Sequence, residues 1–291
     1  MGRSRMNTPR TRSGLTLVEL LVVLAILAVL TMVAVSLTDG VVDQGRYDVT
    51  RRTIENIESA ILGPANQTDA DGSKLVVGFV ADVGRPPIAT GTLEETQLAE
   101  LWANVNGLPG FGPRSPTKDA DAELNDPQIT ILAGWRGPYL ALPPQSTVPA
   151  QLLDGWAQPF LQNFDPSSKF LLALASRPGL TPGYDVPLTN TRDLTAVRGT
   201  LNGSIVDSDV TTPGANDVRV VVFYPDMTKA DFVGRQKVTA TAASGYAFVF
   251  PNPLPIGTAA LRVTQGARKS SITYVRVPPG GLTRSIPFDV Q

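Results

Sequence analysis

The sequence predicts an α+β chain: a long N-terminal helix packed on a small antiparallel-sheet head, followed by a C-terminal all-β sandwich. Three observations carry this prediction. An apolar run from Leu15 to Leu37 passes into a polar, helically patterned stretch that ends at Gly63-Pro64. The middle of the chain is punctuated by Gly, Pro and Trp. From Val197 onward, short strand-like segments recur between Gly, Pro, Asn and Asp turns. The division that follows is a basic leader at 1–14, the helix at 15–63, the head at 64–194 and the sandwich at 195–291.

The first element is the most informative. Leu15 to Leu37 is 23 residues with one charge, Glu19. Such a run is long enough to cross a bilayer as a helix. A carboxylate near the end of that helix is costly without a partner. A free amine on Leu15 would serve, and it exists only if the chain is cut after Gly14. The segment before that point carries Arg3, Arg5, Arg10 and Arg12, no acidic residue and no apolar run. An ordinary secretory signal places its apolar region before the cut; here it follows Gly14 and would stay on the mature protein. Two plainer readings stand beside this one. One is a conventional signal cut near Ala34-Val35-Ser36, with an apolar region longer than the usual ~7–15 residues. The other is an uncut anchor whose basic leader stays in the cytoplasm.

The order of basic leader, Gly14, Leu15, Thr16-Leu17-Val18-Glu19 and long apolar helix resembles the leader of type IV pilins and type II secretion pseudopilins. The resemblance implies that a membrane-embedded prepilin peptidase cuts between Gly14 and Leu15 and methylates Leu15. It makes Glu19 the motif glutamate that serves assembly. It places the protein in the bacterial inner membrane, single-pass, with its head in the periplasm. The implied partners are prepilin peptidase, other pseudopilin subunits and an inner-membrane assembly platform. One departure is Ser36, which stands where many members have a helix-disrupting Pro.

Composition narrows the chemistry. A formal charge of −1 over 291 residues leaves no footprint for nucleic acid. Without Cys there is no disulfide, thiolate nucleophile or Cys-metal site, and no disulfide loop of the pilin kind. Without His there is no imidazole base, no Ser-His-Asp triad and no His-ligated metal. The expectation is a protein that is not an enzyme, although carboxylate, Lys or Ser chemistry stays open.

Beyond the apolar run, Tyr47, Thr50, Ile54, Ile57 and Ile61 recur at helical spacing and give one stripe to lay on a globular head. Asp39-Gly40 is a point where the helix could loosen. Next, Leu75 to Val80 reads as a strand. Thr92 to Val105 reads as a helix opened by a Thr92/Glu95 capping box, and Gly107 to Pro127 as an exposed loop.

Gly134-Trp135-Arg136-Gly137-Pro138-Tyr139-Leu140, then Asp154-Gly155-Trp156-Ala157-Gln158-Pro159-Phe160, then Phe170 to Ser176 form a second cluster. Its order resembles the head of major pseudopilins, with Ala157 where the family has Gly and Phe160 where it has Tyr. Read from the residues, these aromatics are core and turn groups. In that family the following loop binds calcium, a cation that takes roughly six to eight oxygens. The corresponding stretch, 176–193, offers Asp185 and Asp193 as calcium candidates, and carries Arg177 where the family places a small or acidic residue. The alternative is a solvated loop. No other cofactor is expected.

Strand patterns then fall at 197–206, 218–224, 236–241, 246–250, 259–264, 271–277 and 283–290. They resemble a carboxypeptidase-regulatory or prealbumin-like sandwich, and are expected to form an independent scaffold or binding module. The function expected is a pseudopilin, the structural subunit of a type II secretion filament in protein export. A type IV pilin for adhesion, motility or DNA uptake is the alternative, and a membrane-anchored periplasmic binding protein is the alternative of another class.

Overall fold

A computed structural model describes residues 16–64, 67–68, 76–88, 98–142, 152–157, 161–162, 169–171, 174–175, 192–193, 197–206, 218–241 and 244–288. The chain forms two compact units, Met1–Tyr47 and Asp48–Gln291. It is an α+β protein, with one long helix and several antiparallel and mixed sheets.

Helix α1 runs unbroken over Leu17–Leu62, 46 residues. It does not loosen at Asp39-Gly40, because one helical Gly costs only about 1 kcal/mol against Ala and its neighbours supply the ladder. The predicted stripe is the buried face within the second unit: Thr50, Ile54, Ile57 and Ile61 are 0–2% exposed. The helix stops where predicted. Gly63 adopts φ +85, donates to the Ser59 carbonyl at 2.8 Å, and has no room for a Cβ beside the Val77 carbonyl oxygen.

Two expectations for the next segment are corrected. The apolar run at 75–80 is no strand in its described part; Phe79–Val83 is a one-turn helix, α2, bracketed by positive-φ Gly78 and Gly84. A short apolar run does not distinguish strand from buried helix by periodicity alone, and the flanking glycines decide here. The helix expected over 92–105 is reduced, in its described part, to a 3-10 turn at Ala99–Leu101; Thr92 and Glu95 lie outside the described residues. The expected loop at 107–127 holds strand β1, Gly112–Arg114, which pairs antiparallel with β2, Ile131–Ala133. Short strands β3 (Leu161–Gln162), β4 (Lys169–Leu171), β5 (Leu174–Ala175) and β6 (Arg192–Asp193) pair as β3–β5 and β4–β6.

From β7 (Arg198–Gly199) the strands follow the predicted rhythm: β8 Leu201–Val206, β9 Val218–Pro225, β10 Val233–Ala240 and β11 Ala247–Val249. They continue as β12 Leu254–Pro255, β13 Gly257–Gln265, β14 Arg268–Lys269, β15 Thr273–Val277 and β16 Leu282–Pro287. A five-stranded sheet has the order β10-β9-β13-β14, with β15 also on β13; a three-stranded sheet has the order β11-β8-β16. Both sheets feed one core, with Leu201, Ile205 and Ile286 from the small sheet and Val220, Val222, Leu261 and Val275 from the large one. The strands are not all antiparallel: β16 lies parallel to β8. It arrives by crossing from β15 of the other sheet, so no hairpin fixes its direction.

The five-stranded sheet has a second buried face. Val221, Phe223, Val233 and Ala260 pack there against Ile129 and Ile131. The strands after 195 therefore share a core with residues of the head.

Candidate functional site

At the N-terminal end, the described chain begins with a reciprocal cap. The Thr16 backbone N–H and hydroxyl donate to Glu19 Oε2 at 2.8 and 3.0 Å, and the Glu19 N–H donates to Thr16 Oγ1 at 3.3 Å. This is a capping box, in which two otherwise orphaned N–H groups are satisfied. Its sequence signal is Thr16-x-x-Glu19, the same pattern that Thr92 and Glu95 form. Gly14 and Leu15 lie outside the described residues. The large apolar side chains from Leu17 to Val33 are all exposed, at 48–79%. Among the described residues no helix is long and apolar enough to cross a membrane; the described apolar side chains reach Val33.

The second cluster is built around two buried carboxylates, Asp82 and Glu100, that no sequence motif marks. Glu100, fully buried, receives Arg85 in a two-pronged ion pair at 2.8 Å per bond, the Ile88 N–H at 2.8 Å and Asn106 Nδ2 at 2.7 Å. Its carbonyl accepts Trp135 Nε1–H at 2.8 Å. Asp82 receives Arg136 at 2.8 Å and the Tyr139 hydroxyl at 3.0 Å, and its carbonyl accepts the Gly134 N–H. Burial raises the Asp82 carboxyl above its ordinary value, against the downward pull of the Arg136 charge and the Tyr139 hydrogen bond. Burial also pushes the Tyr139 phenol up. Tyr139 stands edge-on to Phe79 and Trp135, and Arg136 lies over the Phe111 ring at 3.9 Å. Each of these groups is already engaged by its neighbours, so the cluster positions chain segments. The only sequence signal was a lone acid inside a short apolar run, Phe79-Val80-Ala81-Asp82-Val83 and Leu98-Ala99-Glu100-Leu101.

The Asp154-Gly155-Trp156 turn docks on α1 through Thr50, whose Oγ1 accepts the Gly155 N–H at 2.9 Å. Asp154 Oδ1 accepts the Trp156 N–H at 2.8 Å, and Ala157 takes φ +59. Of the calcium candidates, Asp185 lies outside the described residues. Asp193 is in β6, its backbone paired with Lys169. Among the described residues, no three His, Cys, Asp or Glu side chains are grouped to hold a metal.

The prokaryotic N-terminal methylation motif matches residues 9–35. The chain thus has an N-terminus of the type IV pilin and pseudopilin type. That motif implies processing by prepilin peptidase and assembly with other pilin subunits. No curated protein matches the chain. One similar solved structure is the dioxygenase domain of a novel dioxygenase carbohydrate-binding protein fusion from the cellulolytic bacterium Streptomyces sp. SirexAA-E. It is 16% identical, with 46% of this chain and 100% of that chain covered, at a TM-score of 0.22. A likeness that slight carries no argument.

Proposed function

We propose that this protein is a pseudopilin, a structural subunit of a type II secretion filament, rather than a pilin of surface fibres. The observation that carries the reading is the methylation motif at 9–35 overlapping the start of a 46-residue helix that exposes its large apolar side chains from Leu17 to Val33. That much uncovered apolar surface needs lipid or neighbouring helices. In this reading the peptidase cuts between Gly14 and Leu15, methylates Leu15, and leaves the helix first in the inner membrane and then in the filament core. The head lies in the periplasm. The order of the Gly134–Ser176 cluster favours secretion over a pilus, and the chain has no Cys pair for a disulfide-looped pilin. The protein acts by assembly on a platform in the inner membrane, not by catalysis.

Mass spectrometry of the N-terminus from cell membranes tests this. The expected mature terminus is N-methylated Leu15, and a terminus at Met1 or near Leu37 overturns the reading. A deletion strain separates the two filament types: loss of exoprotein export supports the pseudopilin, and loss of surface fibres with export intact supports the pilin.

A further inference from the structure

Residues 117–131 run along the outer face of the five-stranded sheet, and their charges match that face in order. Alternation along the strands puts Arg219, Val221 and Phe223 of β9, Val233, Arg235 and Lys237 of β10, and Ala260 and Arg262 of β13 on this side. Opposite them the segment reads Asp119, Asp121, Glu123 and Asp126, then Ile129 and Ile131. Asp121 and Glu123 both bind Lys237, and Glu123 also binds Arg219. Asp119 approaches Arg235 at 3.6 Å, while Asp126 binds Arg262 at 2.8 Å and Lys269 at 3.2 Å. From the sheet side, Asp231 pairs with Arg235 and accepts the Thr117 and Lys118 N–H groups at 3.0 and 3.1 Å.

These pairs are graded in depth. The side chains of Asp121 and Glu123 are each 37% exposed and that of Arg219 is 42% exposed, whereas Asp126 and Arg262 are 5% and 10% exposed. Dissolved salt screens exposed pairs and leaves buried ones largely untouched. The apolar contacts of Ile129 and Ile131 do not depend on screening.

We propose that residues 117–123 form a salt-releasable latch over a cationic sheet face, hinged between Leu124, which packs on the core of Ile129 and Ile131, and Asp126. At high ionic strength the outer pairs open together and unmask Arg219 and Lys237. Asp126–Arg262 and the Ile129–Ile131 contacts hold the other end, and Arg235 keeps its buried partner Asp231.

The test is hydrogen exchange on the full chain in detergent micelles at about 0.05 M and about 0.5 M salt. The Thr117 and Lys118 amides are the reporters, because their acceptor lies across the latch on Asp231. Three exposed pairs at the usual strength predict roughly tenfold faster exchange at high salt, with 129–133 unchanged. A D121N/E123Q variant should exchange fast already at low salt, and its Lys237 should be acetylated faster. Salt-independent exchange at 117–118, or exchange at 129–133 rising in step with it, overturns the latch.

Discussion

Thr16 and Glu19 cap each other at the start of α1, and both bonds from Thr16 converge on a single carboxylate oxygen, Glu19 Oε2. The carboxylate also lies where the helix dipole favours negative charge. Among the described residues the cap uses Oε2 alone, and in the filament proposed above Oε1 would receive the Leu15 amine of a neighbouring subunit. The cap and the proposed inter-subunit pair are therefore compatible on one side chain.

This leads to a discriminating pair of variants. Glu19→Gln keeps an acceptor for Thr16 but loses the charge, whereas Glu19→Ala loses both. An unpaired carboxylate or amine in an apolar core costs several kcal/mol, on the order of what a subunit interface can supply. Both variants should be cleaved and inserted normally yet yield few filaments on sheared-fraction blots. Thr16→Ala should cost only about 1 kcal/mol, in the first turn of the helix. Filament yield from Glu19→Gln equal to that of the parent would leave the cap as the residue's whole role.

Ala157 offers a stabilising substitution. It sits at φ +59, a region that costs an L-residue roughly 1–2 kcal/mol and Gly nothing. Gly returns about half of that through its looser unfolded chain. Ala157→Gly should therefore raise the melting temperature by roughly 1–3 °C, as a net gain of about 0.5–1 kcal/mol does in a chain of this size. A lower melting temperature would show that the left-handed turn is held without strain.

Asp82 should give a pH signature of recognisable sign. Its unfolded carboxyl titrates near about 3.9, and burial raises the folded value above that. Between the two, the folded chain holds a proton that the unfolded chain has released. Stability from this group is thus full below the lower value and falls as pH rises through the raised one. Asp82→Asn should remove that slope. Thermal melts of parent and variant across about pH 4–6 decide this: the parent's advantage should shrink as pH rises, and a constant difference would mean that Arg136 and Tyr139 fully offset burial.

The legible parts of the chain were those with long or repeated patterns. The Thr50, Ile54, Ile57, Ile61 stripe and the Gly63 stop were readable because 3.6-residue periodicity accumulates over several turns. The strands from 197 on were readable because alternation and turn residues recur. Residues 79–101 were not, because five apolar residues suit a strand or a buried turn equally, and Gly78 and Gly84 act through φ angles that the sequence does not display. The roles of Glu100 and Asp82 were hidden for another reason. Their partners stand 15 and 54 residues away, and only tertiary contact brings them together. At the N-terminus the motif is legible, and Thr16-x-x-Glu19 within it is also a capping-box pattern.

The shared core of the five-stranded sheet bears on how the C-terminal strands fold. A fragment from Thr195 to Gln291 keeps the inner core built on Leu201, Val220, Leu261 and Ile286. It loses Ile129 and Ile131, and with them the cover over Val221, Phe223, Val233 and Ala260. It also leaves Arg262, 8% exposed, without Asp126. Each large apolar side chain uncovered forgoes roughly 1.5–3 kcal/mol, a serious loss against the 5–15 kcal/mol of a whole domain. The fragment should still show β-type circular dichroism, from the inner core, but bind a hydrophobic dye and melt well below a chain that starts at Asp48. Adding back residues 76–142 in one polypeptide should abolish the dye signal. A fragment from 195 that melts as high as the longer chain, with no dye bound, would show that the inner core alone sustains the strands and that the outer face is cover without energetic weight.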